Sequence, residues 1–169
     1  GVVAELIKSD KKYDVALETA LAAAAQNVVT AGTEDARYLI EYLKANKFGR
    51  VTFLPISSVK PRVRNAEVTR ALSERGALGM ADELVTFDKQ YYNVISNLLG
   101  NTLIVDTLEN ATKIANKYRF AFKMVTLEGD VFSTQGAMTG GSRRTDMPGL
   151  LSSDRRIEDN ARELESRRQ

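Results

Sequence analysis

Short apolar blocks separated by polar turns run along the first part of the chain, and they predict alternating strands and helices. Val2 to Ile7 is apolar and rich in Val and Ile, which predicts a strand entering a core. Tyr13 to Ala25 contains four consecutive alanines and predicts a helix whose small side chains pack closely against a sheet. Asn27 to Thr30 predicts a short strand.

A second helix and a second strand follow these elements. Thr33 is the predicted cap of the helix, with acidic residues in its positive first turn. Gly49 ends the helix, and Val51 to Leu54 predicts a strand that Pro55 stops. Apolar residues at helical spacing mark the predicted buried face of this helix: Ala36, Leu39, Ile40 and Leu43.

The second half of the chain repeats this order. Tyr91 to Leu99 predicts a helix, and the strands predicted over Thr102 to Val105 and Phe120 to Leu127 enclose another. Asp106 is the predicted cap of the enclosed helix, with Glu109 at capping-box spacing. The apolar face of that helix comprises Ala111, Ile114, Ala115 and Tyr118.

An internal repeat links the two halves. At an offset of 75 residues, similar residues coincide: Val29 with Ile104, Glu34 with Glu109, Ala36 with Ala111, and Leu39 with Ile114. The repeat predicts an α/β (mixed α+β) domain in which a strand-helix-strand unit is used twice, with a pseudo-twofold relation between two similar halves. The irregular stretch at residues 65–80 predicts the boundary between them.

Charge is distributed unevenly between the halves. Residues 44–75 hold eight cations against two anions, a local +6, and residues 82–109 hold five anions against one cation, a local −4. Lys60, Arg62 and Arg64 alternate with Pro61 and Val63. In an extended segment this alternation places the three cations on one side, where they either attract phosphate or remain solvated surface charges.

Composition excludes several kinds of chemistry. The chain has no Cys and no His, which removes thiolate metal sites, His zinc ligands and nucleophile pairs that depend on His. Asp88, Asp106 and Glu128 have no spacing that predicts an acid–base pair. No apolar run approaches 18 residues, so we expect no membrane-spanning segment and no membrane partner.

Glycines concentrate in the stretch Leu127 to Arg144, LEGDVFSTQGAMTGGSRR, which follows an apolar strand. Gly136 to Ser142 lacks the spacing and the Lys of a P-loop, so we expect no ATP binding by that route. Glycine either supplies positive φ in a turn or lets a second backbone approach closely. The stretch therefore predicts a bulged hairpin, a backbone contact with another chain, or both.

The C-terminal residues predict a charged helix. Ile157, Ala161 and Leu164 fit the d and a positions of a heptad. One and a half heptads fit either an ordinary exposed terminal helix or the first turns of a coiled coil.

Two separated motifs resemble one family. Gly136-Ala-Met-Thr-Gly-Gly-Ser142 resembles the end of the hinge domain of SMC proteins, the chromosome-organising ATPases of the condensin and cohesin type. Gly1-Val-Val-Ala-Glu-Leu-Ile7, Tyr13 to Ala25 and Gly49-Arg-Val-Thr-Phe-Leu-Pro55 resemble the opening of the same domain, in the same order. The chain is similar to a bacterial or archaeal condensin-type hinge, although Gln135 stands where many bacterial members have another glycine.

The resemblance implies an organisation and a set of sites. It implies hinge subdomain I at residues 1–75, hinge subdomain II at 76–150 and the root of a coiled-coil arm at 151–169. It implies a dimer that joins two arms, with its contact at Gly136, Met138, Thr139, Gly140 and Gly141. It also implies auxiliary, sequence-nonspecific DNA binding, for which the candidates are Lys60, Arg62, Arg64, Arg143, Arg144, Arg155 and Arg156.

The resemblance further implies what this chain leaves to other parts of a larger assembly. We expect no catalysis, no metal and no cofactor here, because ATP is used by head domains outside these residues. Accessory condensin subunits are expected to bind elsewhere, and the location is expected to be cytoplasmic and nucleoid-associated. We expect an identical chain as the partner, with a heterodimer as the other possibility. Two other functions stay open: a free-standing nucleic-acid-binding α/β domain, or a small-molecule regulatory domain of two similar halves.

Overall fold

A computed structural model of the chain describes residues 1–142, which contain six α-helices, seven strands and three 3-10 segments. The helices are α1 Val3–Leu6, α2 Asp14–Leu21, α3 Thr33–Ala45, α4 Ala66–Ala71, α5 Tyr92–Leu99 and α6 Leu108–Lys117. The strands are β1 Val28–Thr30, β2 Phe53–Pro55, β3 Ala77–Met80, β4 Thr102–Val105, β5 Lys123–Thr126, β6 Val131–Phe132 and β7 Met138–Thr139. The 3-10 segments are Lys11–Tyr13, Ala22–Gln26 and Lys89–Tyr91.

The predicted strand-helix-strand repeat is confirmed, and so is the mixed α/β class. In the first unit, β1 and β2 pair in parallel with α3 between them in sequence. In the second unit, β4 and β5 pair in parallel with α6 between them. The second sheet has five strands in the order β3-β4-β5-β6-β7, because antiparallel strands extend the parallel pair β4–β5 on both sides.

Two groups of buried side chains hold these elements together. The first lies between α2, α5 and the strands, and includes Leu17, Val29, Ile95 and Val125. The second packs α4 and α6 against the larger sheet. The division at residue 75 stays a prediction. No helix within residues 1–142 combines the length and the apolar character needed to cross a membrane.

The strand predicted over Val2 to Ile7 is wrong, because Val3–Leu6 forms a helical turn. Val2 forms an antiparallel bridge with Val28 of β1, and the Val29 N–H donates to the Gly1 carbonyl. The helical turn places Val3 and Ile7, four residues apart, together in the core. β-branched residues favour strands only weakly, and burial on one helical face overrides that preference here.

The single helix predicted over Tyr13 to Ala25 breaks at Ala22. Ala22 has φ 50° and ψ −132°, a conformation that glycine tolerates better than alanine. α2 therefore ends at Leu21, and the remaining alanines form a 3-10 segment that leads to β1. Helix propensity favours alanine throughout this stretch, so tertiary packing decides where the helix ends.

Both predicted helix caps are displaced by one residue. Gly32 precedes α3 without a side-chain cap, and Thr33 is the first helical residue. The hydroxyl of Thr107 caps α6 by accepting a hydrogen bond from the Asn110 amide at 3.1 Å. Asp106 instead accepts from the side-chain amide of Asn110 and from the Thr107 N–H, and these hydrogen bonds hold the pKa of Asp106 below its usual value.

Candidate functional site

Strand β7 is the outer edge of the larger sheet among the described residues. The Ser133 N–H donates to the Ala137 carbonyl at 2.9 Å, and the register pairs Thr139 with Val131. Because backbone groups alternate along an antiparallel strand, Met138 and Gly140 turn their N–H and C=O groups away from β6. The Met138 side chain is 52% exposed. β7 therefore offers an unpaired backbone edge.

Each glycine of the predicted dimer contact has a reason within its own chain. Gly136 and Gly141 have φ of 86° and 132°, a backbone conformation that is strained for any other residue, and apart from the adjoining residues of the chain no atom of residues 1–142 lies within 4 Å of a Cβ added at either position. A Cβ on Gly140 would lie 2.6 Å from the Asp130 carboxylate, which also accepts a hydrogen bond from the Thr126 hydroxyl. The conformation of the hairpin alone therefore accounts for these glycines. A contact of Gly136, Gly140, Gly141, Met138 or Thr139 with a partner stays a prediction.

A second unpaired edge lies along β2. The Val28 N–H donates to the Thr52 carbonyl, and the Ile56 N–H donates to the Thr30 carbonyl. These bonds turn the backbone of residues 52, 54 and 56 towards β1, so Val51 and Phe53 face the other way. Among the strands at residues 1–142, β2 pairs with β1 alone.

The repeat shows what the first unit lacks. At the end of α3, the Phe48 N–H donates to the Leu43 carbonyl, and at the end of α6, the Phe120 N–H donates to the Ala115 carbonyl, both at 2.9 Å. The two phenylalanines are therefore structurally equivalent. Phe120 lies under β6 with its ring 6.2 Å from that of Phe132, whereas Phe48 is 57% exposed. The described part of the first unit has no strand in the place of β6.

An apolar concavity occupies the uncovered side of the first unit. Ile40, Leu43, Phe48 and Val51 contribute to its wall, and its volume is about 380 Å³. The buried face predicted for α3 is wrong for most of its members: Ala36 is buried, but Leu39 and Leu43 are half-buried and Ile40 is 40% exposed. Periodicity identified the apolar face, but the described chain supplies no strand to cover it.

The three cations of the basic segment differ in their surroundings. The Arg64 guanidinium donates to the Gly100 carbonyl at 2.6 Å and pairs with Asp82 and Glu83 at 3.2 and 3.0 Å. The Arg62 Nε donates to the Asn97 carbonyl at 2.7 Å. Lys60 is exposed, and its ammonium group makes no contact with another described residue that would neutralise it. The charge of Arg64 is thus neutralised by carboxylates of its own chain, whereas no carboxylate among the described residues pairs with Arg62 or Lys60.

The other basic candidates, Arg143, Arg144, Arg155 and Arg156, lie outside the described residues. So does the predicted coiled-coil root at residues 151–169. Sequence reasoning missed Lys123, a half-buried cation at the start of β5 that lines a cavity with Arg62. A single lysine in an otherwise apolar run was the available signal.

Within the described chain, no group of three or more acidic side chains lies close enough to hold a metal ion. Asp106, one of the carboxylates considered in the sequence, is engaged at the start of α6. The absence of catalysis and of a cofactor stays a prediction.

Comparisons with known proteins agree with this geometry. The family model for the SMC proteins Flexible Hinge Domain matches residues 1–115. The chromosome partition protein Smc of Bacillus subtilis is 44% identical over 165 residues, which are 97% of this chain and 14% of that protein. The chain therefore spans about a seventh of the length of this curated relative.

Solved structures show the same fold. The asymmetric dimer of the Geobacillus stearothermophilus SMC hinge domain matches with TM-score 0.83 and 37% identity, covering 98% of this chain and 66% of that one. The Pyrococcus furiosus Smc hinge domain with an extended coiled coil matches with TM-score 0.69 and 34% identity, covering 99% and 59%. On the family match, the shared sequence and the shared fold, this chain belongs to the SMC hinge-domain family.

Proposed function

We propose that the chain pairs with a second copy of itself, strand β7 of each copy lying antiparallel against β2 of the other. The observation that carries this proposal is the exposed ring of Phe48, whose counterpart Phe120 is covered by β6. A partner strand beside β2 takes the place that β6 takes beside β5. It covers the apolar concavity and satisfies the outward backbone groups of Val51 and Phe53.

One chain carries both halves of the contact, which favours an identical partner. In a twofold pair each β2 edge meets a β7 edge, so the contact forms twice. The G. stearothermophilus hinge domain forms an asymmetric dimer, which supports self-association of this chain. The glycines at 136, 140 and 141 then help by keeping the β7 edge free of side chains where the backbones approach.

Pairing of this kind joins two arms. The helix predicted at residues 151–169 would continue as one strand of a coiled coil, as in the P. furiosus hinge with its extended coiled coil. The function is then to close a two-armed chromosome partition protein at the end distant from its ATPase heads. ATP use and accessory-subunit binding belong to parts of that protein beyond these residues, and the whole acts at the nucleoid in the cytoplasm.

A change in the β7 backbone tests the pairing. Wild-type protein should sediment as a dimer at micromolar concentration. Met138→Pro removes the outward N–H but no bond to β6, so each of the two contacts loses one hydrogen bond, about 0.5–1.5 kcal/mol. The total predicts roughly 5- to 150-fold weaker association. Met138→Ala keeps the N–H and is the matched control for the side chain.

Sedimentation and thermal unfolding should be measured on the same samples. A wild-type protein that stays monomeric at all concentrations would contradict the homodimer and leave pairing with a different hinge chain. Equal association by Met138→Pro and Met138→Ala would show that the β7 backbone does not take part.

We infer nucleic-acid binding as a second, auxiliary function, favoured by the free charges of Lys60 and Arg62. Reversing both charges, Lys60→Glu with Arg62→Glu, should weaken binding to DNA of any sequence. The slope of log affinity against log salt should flatten by about one unit for each phosphate group that the protein no longer binds. Arg64 is left unchanged, because its ion pairs hold the fold.

A control must make the same change in charge elsewhere. Lys89→Glu with Lys113→Glu alters two exposed lysines of other elements, and it should leave the salt slope unchanged. If the Lys60 and Arg62 variant binds like wild type, the phosphate-binding role would move to Arg143, Arg144, Arg155 and Arg156.

A further inference from the structure

A polar cavity of about 260 Å³ lies where the end of α5, the first residues of β4 and β5, and the hairpin at residues 133–137 meet. Two cations, Arg62 and Lys123, line it, and no carboxylate does. We propose that this cavity binds a single phosphate group, held by Arg62, Lys123 and the hydroxyl of Thr102. The site is separate from the two strand edges, and it shares Arg62 with the proposed nucleic-acid binding, which it extends to Lys123 and Thr102.

Both cations are held in place with hydrogen-bond donors to spare. The Lys123 ammonium donates to the Ala20 carbonyl at 3.1 Å, which leaves two of its three donors free. The Arg62 guanidinium is fixed through Nε on the Asn97 carbonyl, and its terminal nitrogens make no hydrogen bond to another described residue. These anchors orient the two side chains before any ligand arrives.

Thr102 supplies the third donor. The residue lines the cavity and is only 4% exposed. Its hydroxyl forms no hydrogen bond with another residue in the described part of the chain. By contrast, the side-chain amide of Asn101 in the same wall donates to the Val63 carbonyl and accepts from the Asn65 N–H, so we assign it no role in binding the ligand. A hydroxyl in the wall of the cavity can donate a hydrogen bond to a polar ligand.

The electrostatics favour an anion. Burial, and then the charge of Arg62, lowers the pKa of Lys123 below its usual value. Arg62 and Lys123 line one cavity without a counter-ion among the lining residues, an arrangement that a bound anion relieves. A phosphate group has enough acceptor oxygens to meet an ammonium, a guanidinium and a hydroxyl from different directions.

Phosphate binding can be measured directly on the whole chain. Inorganic phosphate is titrated by calorimetry against wild type and against Arg62→Gln, Lys123→Gln and Thr102→Val. Removing a charge-assisted hydrogen bond is expected to weaken phosphate binding about tenfold or more. The neutral control is Lys89→Gln, an exposed lysine on the 3-10 segment before α5, which should bind phosphate like wild type.

Thermal unfolding accompanies each titration, because Lys123 also binds the end of α2. If Lys123→Gln is unfolded, Arg62→Gln, which changes an exposed side chain, still decides the result. No binding by folded wild-type protein at millimolar phosphate would overturn the site. An equal decrease of affinity in Lys89→Gln would also overturn it, because general surface charge would then account for the binding.

A competition with a short single-stranded oligonucleotide identifies the source of the phosphate. If the oligonucleotide displaces inorganic phosphate, and the variants that lose phosphate binding also lose oligonucleotide binding, the site belongs to the nucleic-acid backbone. Phosphate binding without displacement assigns it to a small phosphate compound. A monomeric protein that binds phosphate would contradict the proposed pairing and leave this site standing.

Discussion

Replacing Phe48 by Glu is expected to give a folded monomer. The ring of Phe48 is 57% exposed in one copy, so a carboxylate there costs the lone chain little. In the proposed pair the ring lies under a partner strand, and covering a large apolar side chain contributes about 1.5–3 kcal/mol. The contact forms twice, so association should weaken by roughly 150-fold or more even before the cost of burying a charge is added. Sedimentation over a concentration series measures the change.

The repeat provides a matched control for this variant. Phe120 occupies the equivalent position in the second unit and packs against Phe132 within the same chain. Phe120→Glu should therefore lower the thermal unfolding temperature, whereas Phe48→Glu should not when monomers are compared. Tyr92→Glu, another exposed aromatic on α5, should change neither property. If Phe48→Glu associates like wild type, β2 is not the receiving edge.

Replacing Arg64 by Ala is expected to destabilise the fold rather than to affect DNA binding alone. The guanidinium ties the segment before α4 to the Gly100 carbonyl and to Asp82, which is only 12% exposed at its side chain. Removing Arg64 leaves that carboxylate and carbonyl without their charged partner, at a cost of about 2–3 kcal/mol. Urea unfolding at neutral pH measures the change in the free energy of unfolding.

Arg62→Ala is the neighbouring control for this change. The Arg62 side chain gives one hydrogen bond, to the Asn97 carbonyl at an exposed position, and the backbone bond to Ser96 survives the change, so this substitution should cost less than about 1 kcal/mol. If Arg64→Ala keeps full stability and weakens DNA binding as much as Arg62→Ala, the three cations of the basic segment would be equivalent phosphate-binding groups after all.

Much of the fold could be predicted because each half carries its own local pattern. The coincidence of Val29 with Ile104 and of Ala36 with Ala111 reflects side chains that face a core in both units, so the repeat survives folding. Element boundaries were less predictable. The Val3 N–H donates to the Asn27 carbonyl, and Lys123 donates to the Ala20 carbonyl near the end of α2. Local propensity contains no information about such distant contacts.

The candidate site was harder to predict, because its character depends on what a residue lies beside. Ile40 lies at helical spacing on the apolar face of α3, but this spacing does not show whether the strand that covers the face belongs to the same chain or to a partner. Arg64 and Lys60 look alike in sequence, and the folded positions of Asp82, Glu83 and the Gly100 carbonyl distinguish them. Lys123 stands in an apolar run, and only the fold brings Arg62 to the same cavity.

The open edges of β2 and β7 are unlike surfaces on one chain, and this has a consequence for stoichiometry. A contact between unlike surfaces, repeated from copy to copy, builds a filament unless the rotation between copies closes it. In the proposed pair both β2 edges meet both β7 edges, so nothing is left over to recruit a third copy. Closure then depends on the angle between the two edges within each chain. A variant that alters this angle while leaving both edges intact would polymerise.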